Sequence, residues 1–245
     1  MKPRNHSIEV SATYEDLSER AAAAIFEVMR SAPRGLYCLA AGDTPRRAYR
    51  LLARRVLDEG LNVSEMRFVG LDEWIGLDGH DRGSCRALLN ELLFGPLGIR
   101  MDRIAFFDAK SADLPGECRK IDEWIADWGP IDLVVLGIGM NGHLGFNEPG
   151  TRAETLSHAM DLEEVTQSVG TKYFDSGTAP AGGLTIGLGQ IMGAKRALLM
   201  ASGEGKAGIV RRAFSSDSFP EIPASILLRH PRFSLLLDAA AATGV

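Results

Sequence analysis

Asp132-Leu133-Val134-Val135-Leu136 runs directly into Gly137-Ile138-Gly139-Met140-Asn141-Gly142-His143. The first five residues are short, apolar and rich in valine, which reads as a strand buried on both faces. The six from Gly137 match G-x-G-x-x-G, the spacing of a dinucleotide-binding turn. That reading needs a helix to open at the third glycine. The chain continues instead with Leu144-Gly145-Phe146-Asn147-Glu148-Pro149-Gly150, whose glycines and proline do not make a helix. The dinucleotide reading is therefore rejected. A glycine-rich turn of exposed N–H groups beside His143 and Glu148 suits a small anionic or oxygen-rich ligand. The alternative is a structural histidine satisfied by a backbone carbonyl.

Outward from this strand, apolar positions switch between a helical period and short solid runs. Tyr14, Leu17, Ala21, Ile25, Phe26 and Met29 share one helical face, with Thr13 and Asp16 in capping-box spacing before it. Residues 35–40 predict a buried strand. Residues 45–59 predict a helix with Pro45 at its first position and Gly60 just past its end. Residues 66–71 predict a strand, 85–94 a helix, 103–107 a weaker strand and 117–128 a helix. A polar, irregular stretch spans 141–181. Residues 184–188 and 197–201 then predict strands, 206–214 a helix and 233–237 a strand. This alternation predicts an α/β fold, a mostly parallel sheet covered by helices, in one domain over the whole chain. A loop as long as 141–181 inside a compact domain reads either as a lid over a site or as a small helical excursion that only covers the sheet.

Composition narrows the function. Hydrophobic residues make up 45% and charged residues 24% of the 245, enough apolar surface to fold, which excludes a disordered chain. The net charge of −5 offers no positive field for a phosphate backbone, so nucleic acid is not an expected partner. The purest apolar stretch, 133–140, falls far short of the ~18 residues a membrane span needs, and no secretory h-region follows the first residues. Cys38, Cys85 and Cys118 form no CxxC pair and read as reduced, buried thiols of a cytoplasmic protein.

Ligands of open α/β sheets bind beyond the carboxyl ends of the strands. Four turns lie there. Ala41-Gly42-Asp43-Thr44-Pro45 places a glycine and a candidate N-cap, Thr44, where helix N–H groups attract phosphate; plain capping is the alternative, and the Asp43 carboxylate counts against phosphate if it points inward. Leu71-Asp72-Glu73-Trp74 ends a strand on an acidic pair, and a partly desolvated carboxylate there suits a general base, a solvated turn being the alternative. The Gly137–Gly139 turn with His143 and Glu148 is the third. Ser202-Gly203-Glu204-Gly205-Lys206 is the fourth: a lysine at a helix start opposes the dipole unless an anion sits there. Lys172 and His158 are weaker candidates in the polar stretch. No second His or Cys lies at metal-ligand spacing, so no metal is expected. Gathered on one sheet edge, these turns fit proton transfer on a small phosphorylated metabolite.

In this order and spacing the four segments resemble the glucosamine-6-phosphate deaminase/isomerase family, from about Leu36 to Leu237. The most specific pieces are Leu71-Asp72-Glu73-Trp74, the run 136–149 and Leu184-Thr185-Ile186-Gly187-Leu188-Gly189. Phe68-Val69-Gly70 before Leu71, Gly203-Glu204-Gly205-Lys206 and Ile222-Pro223-Ala224-Ser225 look closest to the galactosamine-6-phosphate branch. Related 6-phosphogluconolactonases share the glycine turn but lack Phe146-Asn147-Glu148-Pro149. The resemblance implies a modified Rossmann-like three-layer sandwich with a lid at 141–181. It implies conversion of glucosamine or galactosamine 6-phosphate to a ketose 6-phosphate and ammonia, without a cofactor. Asp72 matches the general base, and His143 with Glu148 the ring-opening proton carrier. Asn141 stands where some members place an aspartate in this relay. Ala41, Gly42, Asp43, Thr44, Gly137, Gly139 and Lys206 match the substrate and phosphate contacts, and Lys172 falls where some members bind phosphate with an arginine. Asp43 departs from the small residue usual there. The expected partner is the sugar phosphate alone, for a monomer or small homo-oligomer. Lactone hydrolysis and non-catalytic sugar-phosphate sensing are the competing readings.

Overall fold

The computed structural model describes residues 5–174 and 179–243. Seven parallel strands form the main sheet: β1 (Asn5–Ser11), β2 (Leu36–Leu39), β3 (Arg67–Gly70), β5 (Ile104–Ala105), β6 (Leu133–Leu136), β9 (Ala197–Ala201) and β10 (Arg232–Asp238). Their order is β1-β10-β9-β6-β2-β3-β5. From β2 the chain winds outward through β3 and β5, then returns to the other side of β2 and winds outward through β6, β9 and β10. The winding direction thus reverses between β2 and β6, and the carboxyl ends of those two strands flank a crevice.

Helices cover both faces. On one side α1 (Tyr14–Ser31), α2 (Asp43–Asp58) and α3 (Cys85–Leu89) bury Leu17, Ile25, Tyr49, Leu52 and Leu89 against Tyr37, Leu39, Val135 and Met200. On the other, α4 (Leu114–Trp128), α6 (Leu188–Gly193) and α7 (Glu204–Phe214) bury Ile121, Ile191 and Val210 against Cys38, Val134, Leu136 and Leu199. Adjacent strand residues enter opposite cores, so no polar face is left on β2, β6 or β9. The expected three-layer α/β fold is therefore present.

Thr13 and Asp16 form the expected capping box, and Gly60, at φ +64°, follows the end of α2. Several local expectations need correction. α2 starts two residues earlier than expected, with Gly42 as N-cap, so Thr44 and Pro45 lie inside its first turn. Proline is tolerated there because those N–H groups have no helical partner. The weak strand at 103–107 shrinks to two residues at the sheet edge. The helix at 85–94 divides into α3 and a wider π-type turn over Asn90–Phe94. The expected strand at 184–188 lies outside the parallel sheet. It is β8 (Gly182–Thr185), antiparallel in a small second sheet between β4 (Asp72–Trp74) and β7 (His158–Asp161). The stretch 141–181 is not irregular throughout, since it contains β7 and α5 (Glu164–Gly170); its residues 175–178 lie outside the described residues.

Candidate active site

Four neighbouring strands, β9, β6, β2 and β3, each end in one of the turns singled out above. Their side chains line a single cavity of about 490 Å³, the size of a small-molecule site. Ala41, Gly42, Asp43, Thr44, Asp72, Gly137, Gly139, His143, Lys172 and Lys206 all face it. Asn141 and Glu148 stand behind His143. His158 does not join them: its Nδ1 lies 2.9 Å from the Leu156 carbonyl oxygen.

Asp72 opens β4 and is 9% exposed. Its Oδ1 has no hydrogen-bond partner among the described residues. Burial pushes its carboxyl up to about 7, against the lowering effect of a hydrogen bond with Cys85; the neighbouring Glu73 adds a further rise. A carboxylate poised near neutrality beside a cavity suits proton abstraction from carbon.

Glu73 faces away from the cavity. Its fully buried carboxylate accepts from Trp74 N (3.0 Å), Ser84 Oγ (2.7 Å), Cys85 N (2.9 Å) and Arg86 N (3.0 Å). It thus ties β4 to the first turn of α3 and sets Cys85 beside Asp72. Glu73→Ala is expected to lower the unfolding free energy by about 3 kcal/mol, because buried donors lose their acceptor. Chemical denaturation measures this, and an unchanged midpoint contradicts it.

His143 sits on the glycine turn after β6. A Cβ on Gly139 would fall 2.4 Å from His143 Nε2, so glycine is what lets the imidazole lie over this backbone. Nδ1 lies 3.3 Å from Glu148 Oε2 and 3.2 Å from Thr166 Oγ1, and the Thr166 hydroxyl donates to Glu148 Oε1 at 2.6 Å. Burial raises the Glu148 carboxyl, but hydrogen bonds from His143, Thr166 and Asn141, together with the charge attraction of His143, outweigh it and hold it below its usual value. An ionised Glu148 only accepts, so the neutral tautomer of His143 that it favours carries its hydrogen on Nδ1 and offers Nε2 as an acceptor. Asn141 Nδ2 donates to Glu148 and, at 2.7 Å, to Glu163 Oε2 just before α5.

Cations collect at the start of α2. Lys206, in the first turn of α7, donates to the Ile138 carbonyl at 2.7 Å; burial, then the nearby Lys172, pushes its ammonium below its usual value. Arg46 also lines this end. Asp43 turns its carboxylate to Lys172 rather than leaving it bare, with Oδ2 2.6 Å from Nζ. Residues of α5 and the turn after it, including Thr166, Val169 and Tyr173, complete the wall. Trp74 packs edge-on against Phe146 (4.8 Å) and Phe174 (5.5 Å).

Sequence reasoning missed Thr166, Cys85, Glu163 and Arg46. Thr166 carries no signal. Cys85, following Ser84 at a helix start, reads from sequence only as a buried apolar residue. Among the described residues, no group of three or more His, Cys, Asp or Glu side chains is placed to hold a metal.

The family model for glucosamine-6-phosphate isomerases/6-phosphogluconolactonase matches residues 9–235. A glucosamine-6-phosphate deaminase from Bacillus velezensis is 39% identical over 232 residues, 94% of this chain and 96% of that one. The putative deaminase AgaI of Escherichia coli is 36% identical over 225 residues, covering 92% of this chain and 89% of its own. The solved structure of a monomeric glucosamine-6-phosphate deaminase superposes with a TM-score of 0.94 at 34% identity, over 98% of this chain and all of that one. A 6-phosphogluconolactonase from Trypanosoma brucei shares the fold at 23% identity and a TM-score of 0.78. With its fold and these relatives in agreement, this chain belongs to the glucosamine-6-phosphate isomerase/6-phosphogluconolactonase family.

Proposed function

We propose that the protein converts a hexosamine 6-phosphate, glucosamine or galactosamine 6-phosphate, to the ketose 6-phosphate and ammonia. The carrying observation is Asp72, a buried carboxylate with one unpartnered oxygen on the wall of the cavity. Lactone hydrolysis needs a histidine to activate water, but no second, desolvated carboxylate. The named deaminases among the relatives support the same choice.

The phosphoryl group occupies the α2 N-terminus beside Thr44, Lys206 and Lys172. Binding there places the reacting carbons without touching them. His143 Nε2 accepts the C1 hydroxyl hydrogen and returns a proton to the ring oxygen, opening the pyranose. Asp72 removes the C2 proton, leaving an enol that bears the amino group. Asp72 delivers that proton to C1, which gives a C2 imine; water adds at C2 and ammonia leaves. C1 is reduced, C2 is oxidised, and water is the one co-reactant. α5 and the turn after it act as the cover.

The purified protein is expected to release ammonia from at least one of the two epimers and to leave 6-phosphogluconolactone unhydrolysed. Silence on both amino sugars sinks the reading. The pH dependence follows from Asp72. The base works ionised, so kcat/KM rises with pH along a limb near pH 7. In Cys85→Ala the carboxylate loses a hydrogen bond that lowers its value, and the limb moves to higher pH. A limb that stays in place in that variant removes Cys85 from the account.

A further inference from the structure

We propose that Asp43 is a positioning residue of the phosphoryl subsite: its carboxylate holds Lys172 and Tyr173 over the start of α2 until the ligand's phosphoryl group takes Lys172 over. This rests on the phosphoryl reading of that subsite given above.

Asp43 is the first residue of α2, where a negative charge is favoured by the helix dipole. Its Oδ2 takes Lys172 Nζ at 2.6 Å and accepts from the Tyr173 hydroxyl at 3.3 Å. Arg46 Nε stands 4.0 Å from Oδ1. The loop backbone is pinned independently, since the Tyr14 hydroxyl lies 3.1 Å from the carbonyl oxygens of both Asp43 and Thr44. The side chain, half exposed, can therefore move while the loop stays. Lys172 and Tyr173 lie in the short turn after α5, so the contact joins the wall contributed by α5 to the phosphoryl end of the cavity. In the free protein Asp43 does what an anion would do there. A phosphoryl group arriving beside Gly42 and Lys206 repels the carboxylate and competes for the same ammonium. Affinity is thereby lowered, and the cover is ordered before substrate arrives.

The test is calorimetric titration of inorganic phosphate, at fixed ionic strength, into four proteins: the wild type, Asp43→Asn, Lys172→Met and the double variant. Asp43→Asn is expected to bind phosphate about tenfold tighter than the wild type, because Lys172 is released and a like charge is gone. Lys172→Met is expected to weaken binding. In its background, Asp43→Asn is expected to gain less than about threefold, the repulsion alone. Hydrogen exchange at Lys172 and Tyr173 is expected to quicken in Asp43→Asn. Unchanged or weaker phosphate binding in Asp43→Asn overturns the proposal. So does an equal gain in both backgrounds, or unchanged exchange, since Asp43 then holds nothing. If the wild type binds neither phosphate nor a hexosamine 6-phosphate, the phosphoryl reading itself fails and takes this proposal with it.

Discussion

Asp72→Asn is expected to cut turnover of an amino-sugar 6-phosphate by about 10²–10⁴-fold while leaving its binding within about threefold. Asparagine has the shape of aspartate but cannot take a proton, so the C2–H bond stays intact. The phosphoryl contacts proposed at the start of α2 do not include Asp72 and are untouched. The same substitution is expected to raise stability at pH 8. Folding raises the Asp72 carboxyl from 3.8 to about 7, so the protonated form is the one the fold favours. That contribution is complete below about pH 4 and is lost as pH rises through about 7. A neutral amide avoids the loss. A variant that is inactive yet more stable above neutrality separates a base from a structural carboxylate. Full activity in Asp72→Asn removes Asp72 as the base.

Glu148→Gln is expected to lower kcat by about 10²-fold with little change in KM, because His143 loses its acid–base role. This carboxylate is surrounded by donors: His143 Nδ1, Thr166 Oγ1 and Asn141 Nδ2. A glutamine must set its amide N–H against one of them. Set against His143, whose ring can answer by moving its hydrogen from one nitrogen to the other, the amide N–H donates to Nδ1, the amide oxygen keeps the Thr166 hydroxyl, and the tautomer with hydrogen on Nε2 is favoured. That tautomer cannot accept from the C1 hydroxyl. The ¹⁵N shifts of labelled His143 report this directly: hydrogen on Nδ1 in the wild type, on Nε2 in the variant. An unchanged tautomer with unchanged kcat contradicts the assignment.

Much of the fold is legible in the chain. Residues 133–136 and 197–201 are apolar at every position because each strand faces two cores, and that pattern declares a parallel sheet. The four turns stand out because glycine and charge cluster where strands end, and strand order brings them together. β1 is not legible. Its outward residues, Ile8 and Val10, are 55% and 54% exposed, while Ser7, Glu9 and Ser11 alternate with them, so neither solid burial nor an apolar inner face marks it. β8 reads as a member of the wrong sheet, because a short apolar run does not encode direction. At the site, residues that end strands are found and, Lys172 apart, those that approach from elsewhere are not. Thr166 reaches His143 from 23 positions away, and Glu163 reaches Asn141 from 22. Such contacts have no local spacing to read. Asp43 looks adverse beside a phosphate only because its partner, Lys172, lies 129 residues further on (172 − 43).

A structure of the complex with an open-chain alcohol analogue of the amino-sugar 6-phosphate tests the central geometry most directly. Phosphorus is expected at the start of α2 beside Lys206, C2 within about 3–3.5 Å of an Asp72 carboxylate oxygen, and the C1 hydroxyl against His143 Nε2. Phosphorus at the Trp74 end of the cavity, or a C2 turned away from Asp72, contradicts it.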